Sequence, residues 1–144
     1  MDQSYEILKL DKQLCFPLYA CSREMIKEYK PFLDKLDLTY TQYITMLVLW
    51  EKKSINVKAL GDILYLDSGT LTPLLKKLET KGLITRKRST EDERNLIVTI
   101  SEAGMAMRDV AVTIPNEVVK CVNLSQEECW ALYQSLYKFL NRNK

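Results

Sequence analysis

The sequence predicts a mainly α-helical fold with a small β-wing, and three observations within residues 57–100 carry that prediction. Two short helical patterns meet at a polar turn: Leu60, Ile63 and Leu64 give one apolar face, and Leu71, Leu74, Leu75 and Leu78 a second. Both follow the spacing of an amphipathic helix. Gly82 comes next, where a helix C-terminus favours a residue with positive φ. Beyond it, Leu83-Ile84-Thr85 and Leu96-Ile97-Val98-Thr99-Ile100 bracket the polar run 89–95, which is the pattern of two strands joined by a charged loop. Helix, turn, helix and hairpin in this order describe a winged helix-turn-helix, whose second helix can enter a DNA major groove.

The flanking segments read as helices. Residues 11–36 predict one long helix, with Leu14, Leu18, Met25, Phe32 and Leu36 among its apolar positions. Pro17 is tolerated near a first turn, so the regular helix is expected to begin around Phe16, and Pro31 to kink or interrupt it. Thr39 followed three residues later by Gln42 is a capping box. It opens a second helix carrying Ile44, Met46, Leu47, Val48, Leu49 and Trp50. Asn56 can cap a third helix over 57–65, residues 65–69 form the turn, and the recognition helix runs to about Lys81. With Thr70 as its N-cap, Pro73 falls in the first turn, where a missing N–H costs nothing; a start at Ser68 would lose one backbone bond. Ser101 opens a fifth helix to about Val122, with a kink expected at Pro115. A second capping box, Ser125-Gln126-Glu127-Glu128, starts a last helix to about Asn141. The expected organisation is a single domain over 1–144, with the DNA-reading region at 37–101 and dimerisation helices in 1–36 and 102–144.

Charge is informative by its distribution. The net charge is only +2, yet residues 76–94 hold seven basic side chains against four acidic ones, a local +3. Positive charge is therefore concentrated on the recognition helix and wing, where phosphates would lie. The N-terminus lacks the basic start and apolar run of a secretory signal, and no apolar stretch approaches membrane-spanning length, so a cytosolic protein with no membrane partner is expected. The four cysteines (Cys15, Cys21, Cys121 and Cys129) show no CxxC spacing, which leaves zinc ribbons and thioredoxin-type motifs unsupported. Free thiols are the default in a reducing cytosol. The chain has no histidine. That removes Ser-His-Asp and Cys-His catalysis and argues against a catalytic metal; no cofactor is expected.

With these elements in order, the chain resembles the MarR family of winged-helix repressors. The wing segment Asp92-Glu93-Arg94-Asn95-Leu96, with Thr99-Ile100-Ser101-Glu102-Ala103-Gly104, is similar to that family's DxR…LT..G signature. Three further segments are similar to its peroxide-sensing branch, the organic hydroperoxide resistance regulators: Leu14-Cys15-Phe16, Leu38 through Tyr43, and Tyr65 through Lys76. The resemblance implies a homodimer with interleaved N- and C-terminal helices, a recognition helix in each major groove and a wing over each adjacent minor groove. A two-fold dimer with heads about 34–36 Å apart suits a pseudo-palindromic operator on double-stranded DNA. Ser68, Thr70 and Thr72 start the recognition helix, where short hydroxyls reach phosphates or base edges or, as the plainer reading has it, cap the helix. Lys76 and Lys77 are placed for phosphates, with Arg86 and Arg88 of the basic wing beside them. Arg94, at the end of the wing loop, suits a narrow minor groove. Asp92 is expected to hydrogen-bond the wing or orient Arg94 within this interface.

A lone cysteine among Leu14, Phe16 and Leu18 is more often an inert thiol than a sensor. The resemblance reverses that reading. It puts the peroxide-reactive cysteine at Cys15, with Tyr29 and Tyr40 as hydroxyl donors to its sulfur from the partner subunit and Tyr19, one turn along, as a further candidate. Phenolic O–H groups favour the nucleophilic thiolate without adding a competing charge. The apolar neighbours favour an organic hydroperoxide as effector. Oxidation is then expected to break the tyrosine contacts, separate the reading heads and derepress a detoxification gene. Some relatives resolve the oxidised sulfur with a second cysteine; Cys121 stands near that position, and a resolving and a structural role are equally open for it. Cys21 lies six residues from Cys15, roughly 240° around a helix, which disfavours a local disulfide. Structural thiols are expected at Cys21 and Cys129. The alternatives are a MarR-type repressor responding to a small phenolic ligand and, less favoured, a thiol peroxidase working at Cys15.

Overall fold

The computed structural model describes residues 3–144 and divides into two compact units, Met1–Ile114 and Pro115–Lys144. Among the described residues no helix is long and apolar enough to cross a membrane.

The first unit opens with two short 3-10 segments, Gln3–Leu8 and Leu10–Lys12. The side-chain amide of Gln13 ties them together by donating to the carbonyls of Ile7 (2.6 Å) and Lys9 (2.8 Å). Helix α1 starts at Cys15, one residue from the Phe16 expected for the regular helix, and runs to Asp34. Pro17 is its third residue, one of the positions whose N–H has no intrahelical partner. Pro31 does not interrupt it. Standing in the last turn, that proline removes a single bond, to the carbonyl of Lys27, and the helix continues past it.

Three of the helices end in the same way. After α1, Leu38 N–H bonds the Leu33 carbonyl and Asp37 N–H that of Asp34, with Asp37 at φ 54. Helix α3 (Val57–Leu64) closes with Leu66 N–H on the Gly61 carbonyl and Tyr65 at φ 56. Helix α4 (Ser68–Thr80) closes with Leu83 N–H on the Leu78 carbonyl and Gly82, as expected, at φ 76. This is the left-handed C-cap, which satisfies carbonyls a helix end would otherwise leave bare.

Between them, α2 (Tyr40–Lys52) begins at the full Thr39/Gln42 capping box read from the sequence. It is the most buried helix, and its Met46 and Leu49 pack in a core with Leu60, Leu71, Leu75, Leu78, Ile84 and Val98. The two wing strands, β2 (Ile84–Arg88) and β3 (Leu96–Ile100), pair in antiparallel register from Ile84↔Ile100 to Arg88↔Leu96. A third strand, β1 (Ser54–Asn56), extends the sheet on the other side of β3, giving the order β1-β3-β2.

The fifth helix is not continuous. It is three short pieces, α5 (Glu102–Ala106), α6 (Arg108–Ala111) and α7 (Ile114–Val119). Met107, between α5 and α6, and Val112, after α6, keep helical angles (φ −61, ψ −25 and φ −59, ψ −23) at these breaks in the bonding ladder. The second break lies just ahead of Pro115, whose ring nitrogen cannot donate to the Ala111 carbonyl. The signature glycine acquires a cause here. Gly104 packs so tightly on the Leu83 carbonyl that a Cβ would collide with it, while its own carbonyl accepts from Trp50 Nε1 at 2.8 Å.

In the second unit, α8 (Gln126–Leu140) starts at the Ser125/Glu128 capping box and buries no side chain of its own. Trp130 stacks on Tyr133 (centroids 5.4 Å, 13°), and Tyr133 packs on Tyr137 at 4.7 Å, leaving an exposed aromatic face.

Candidate functional site

The recognition helix α4 turns Leu71, Leu74, Leu75 and Leu78 inward and leaves Ser68, Gly69, Thr70, Thr72, Pro73, Lys76 and Lys77 exposed. Its N-cap is Asp67, whose carboxylate accepts from Thr70 N–H at 2.7 Å; Thr70 itself is the third residue of the helix. The cap expected at Thr70 is thus corrected to Asp67. The earlier start makes Pro73 the sixth helical residue, unable to donate to the Gly69 carbonyl, and the cap compensates at the same end. Thr70 holds the Asp67 carboxyl below its usual range, first through its backbone N–H and then through its hydroxyl. That hydroxyl serves the cap, whereas Ser68 and Thr72 stand open at the helix start.

In the wing, Asp92 Oδ1 accepts from Arg94 N–H at 3.0 Å and from Arg94 Nε at 3.2 Å. The arginine side chain remains 92% exposed, so the carboxylate aims a guanidinium that is otherwise in solvent. Asn95 N–H bonds the Asp92 carbonyl (2.9 Å), Ser89 N–H the Asn95 carbonyl (2.7 Å), and Arg88 Nη1 the Glu93 carbonyl (3.1 Å), which closes the tip. Arg86 differs from its neighbours. Glu79 on α4 accepts from its backbone N–H and its Nη2, both at 3.1 Å, and the side chain is only 19% exposed. Expected at the DNA surface, Arg86 instead anchors β2 to the recognition helix, because the Glu79 carboxylate in the last turn of α4 stands within reach. The Arg86 side-chain bond is the chief cause holding the Glu79 carboxyl below its usual range.

Cys15 is the first residue of α1, exposed, with a free thiol; Cys21 and Cys129 are also free thiols. Tyr29 lies fourteen positions further along the same helix, about 21 Å away at 1.5 Å per residue. It cannot touch the sulfur of its own chain. Tyr29 packs edge-on against Tyr40 (centroids 5.1 Å, 61°), and both meet Tyr43, at 5.6 Å and 6.3 Å. Burial, then the neighbouring Tyr40, raises the Tyr29 phenol above its ordinary pKa; burial alone raises Tyr40. Tyr43, 2% exposed, is pushed up to about 12 by burial and then by the two other phenols. All three therefore stay protonated at neutral pH, as donors. Tyr43 was not read as a site residue. Its spacing of three from Tyr40 was the available signal, masked by ordinary core periodicity. Tyr19 is exposed, and its hydroxyl oxygen accepts from Arg23 Nη1 at 2.9 Å, which leaves its own proton free to donate. Cys121 follows α7 in the second unit and is exposed, with its thiol 3.8 Å from the Glu117 carbonyl.

Comparison with known proteins fits this geometry. Residues 27–110 match the family model "Transcriptional regulator SarA/Rot". The chain is 50% identical over 140 residues to the organic hydroperoxide resistance transcriptional regulator of Bacillus subtilis, covering 97% of this chain and 95% of that one. It is 45% identical to the regulator SarZ of Staphylococcus haemolyticus over 93% of this chain and 91% of that one. Among solved structures, reduced AbfR bound to DNA, the Staphylococcus epidermidis protein, superposes with a TM-score of 0.79 at 32% identity, covering 97% of this chain and 98% of that one. The same protein has been solved overoxidised on DNA and in a disulfide form. The chain belongs to the MarR-type winged-helix transcriptional regulators, in the branch of the organic hydroperoxide resistance regulators.

Proposed function

We propose that the protein is a peroxide-sensing repressor that grips a pseudo-palindromic operator as a homodimer and releases it after oxidation of Cys15 by an organic hydroperoxide. One observation carries the reading. Cys15 and Tyr29 share a helix about 21 Å apart, while Tyr29 and Tyr40 form a cluster of protonated donors. A thiol with such donors as partners is completed across a two-fold axis, by the phenols of a second copy. The exposed aromatic face of α8 and the exposed Leu14, Phe16 and Leu18 around Cys15 are apolar surface of the kind that subunit association covers. In this reading the helices in 1–36 and 102–144 dimerise, while 37–101 reads DNA. Ser68, Thr72, Lys76, Lys77 and Arg94 meet the duplex, and Asp92 aims Arg94.

The thiolate attacks one peroxide oxygen, the O–O bond breaks, and the alkoxide leaves to take up a proton as the alcohol. Sulfur loses two electrons and becomes sulfenic acid. A second thiol then attacks that sulfur, an S–S bond forms and water departs. A relative solved overoxidised on DNA argues that oxygen on sulfur is compatible with DNA in that protein. We therefore assign release to the bulkier disulfide or capped state, with Cys121 or a small thiol as the second partner. Each chain reacts once per signal, as a switch and not as a turnover enzyme.

The test uses an operator selected from a random duplex pool and fluorescence anisotropy, with cumene hydroperoxide and free cysteine as the small thiol added to wild type and to Cys15→Ser. Wild type should dissociate and the serine variant stay bound. A serine variant that leaves DNA on the same treatment ends the proposal.

A further inference from the structure

We propose that Lys81 couples the tyrosine cluster to the recognition helix, carrying a disturbance at the phenols to the DNA-reading face. This rests on the sensor reading above and adds a positioning residue to it. Lys81 is the C-cap of α4, its backbone N–H closing on the Lys77 carbonyl at 3.1 Å. Its side chain crosses to the turn between α1 and α2, 44 residues away in sequence at Asp37. There the ammonium donates to the Asp37 carbonyl and to Gln42 Oε1 (3.3 Å), with the Asp37 carboxylate 3.6 Å away. The ammonium thus makes two hydrogen bonds, one to the turn and one to the first turn of α2, with the Asp37 carboxylate adding an ion pair.

The partners are those that set where Tyr40 sits. Gln42, 3% exposed, uses the same Oε1 to accept from Thr39 N–H at 3.0 Å, which is half of the capping box that starts α2. Tyr40 is the first residue of that helix, and its ring lies 5.1 Å from Tyr29. Asp37, at φ 54, is the left-handed residue that ends α1, the helix bearing both Cys15 and Tyr29. One ammonium group therefore holds the end of the sensor helix, the cap beneath Tyr40 and the end of the DNA-reading helix together. The Lys81 side chain is 29% exposed and that of Asp37 93%, so the bond to the buried Gln42 is the one best shielded from water. Apolar packing of α2 on α4 also joins the helices. That packing is non-directional, whereas the lysine fixes the position of the turn relative to the helix end.

The experiment compares wild type, Lys81→Met and Lys81→Arg as full chains, with thermal melts to confirm folding. Three quantities are read: the rate at which Cys15 becomes trappable by dimedone in cumene hydroperoxide, operator affinity when reduced, and operator affinity when oxidised. Lys81→Met should oxidise within about twofold of the wild-type rate and bind as the reduced protein within a few-fold. Its ratio of reduced to oxidised affinity should fall at least tenfold, and arginine should restore most of it. A wild-type ratio in the methionine variant overturns the coupling. Should wild type itself reach the disulfide or thiol-capped state at Cys15 yet keep its DNA, the sensor reading fails, and the coupling falls with it on separable grounds. If Lys81→Met melts early, Lys81→Gln takes its place under the same criteria.

Discussion

Replacing Gly104 by alanine probes the joint on which the wing is mounted. A Cβ at this position would collide with the Leu83 carbonyl and lie 2.8 Å from Ile100 Cγ1. Neither side is free to yield. The Leu83 carbonyl accepts from Ser101 N–H at 2.9 Å, and Gly104 is held by Ser101 Oγ at its N–H (3.0 Å) and by Trp50 Nε1 at its carbonyl (2.8 Å). Overpacking a fixed site costs about 1–3 kcal/mol, and stretching one of these bonds about 1 kcal/mol more. Against this stands a helix-propensity gain of about 1 kcal/mol, since Gly104 lies in α5. The net is a loss of about 2 kcal/mol, which at roughly 4 °C per kcal/mol corresponds to a melting point about 8 °C lower. Far-UV circular dichroism melts at one protein concentration, with Trp50 emission followed in parallel, measure it. A variant that melts within about 1 °C of wild type, or above it, refutes the claim that the signature glycine is there to admit the Leu83 carbonyl.

Two further outcomes follow from the interface. Lys76→Ala and Lys77→Ala should each remove one phosphate contact per subunit, so each should make the salt dependence of operator binding shallower by about 1.8 in log–log slope for the dimer. Arg86→Ala should leave that slope unchanged, because its guanidinium is turned to Glu79. The Glu79 carboxyl, held low chiefly by Arg86, contributes stability in full above the ordinary carboxyl value of 4.5 and loses it as pH falls through the lower native value. Glu79→Gln should therefore be less stable than wild type at neutral pH and converge on it once pH has fallen through that lowered native value, as read by urea melts across pH.

The helices and the hairpin were legible because their signals are local. Thr39 with Gln42 and Ser125 with Glu128 form complete capping boxes, and Gly82 takes the left-handed cap. Where a local rule competed with a contact far along the chain, the reading slipped. Thr70 looked like a cap because Pro73 suits a first turn, yet Asp67 makes the better cap at the cost of one bond to the proline. Strand β1 is only three residues long and exists through partners more than forty positions away, Ser54 on Thr99 and Ile55 on Val98. The start of α1 at Cys15 agrees with the regular helix read from around Phe16, whereas the 3-10 segments ahead of it, tied by Gln13, carry no periodicity to betray them.

The sensor site is of another kind, since its parts are not neighbours in one chain. Resemblance named Cys15, Tyr29 and Tyr40, and geometry then sets a condition on them. A rigid helix that keeps Cys15 and Tyr29 about 21 Å apart cannot bring them together by any side-chain rotation. Either the phenols serve a sulfur on a second molecule, or they serve none. Tyr43 favours the first alternative. The buried Tyr43 ring packs tilted against both Tyr29 (5.6 Å, 45°) and Tyr40 (6.3 Å, 46°), while burial keeps the Tyr29 and Tyr40 phenols protonated as donors. Unlike Tyr43, Tyr29 and Tyr40 are only half-buried, so both stay open to a partner in a way that a ring filling a core is not.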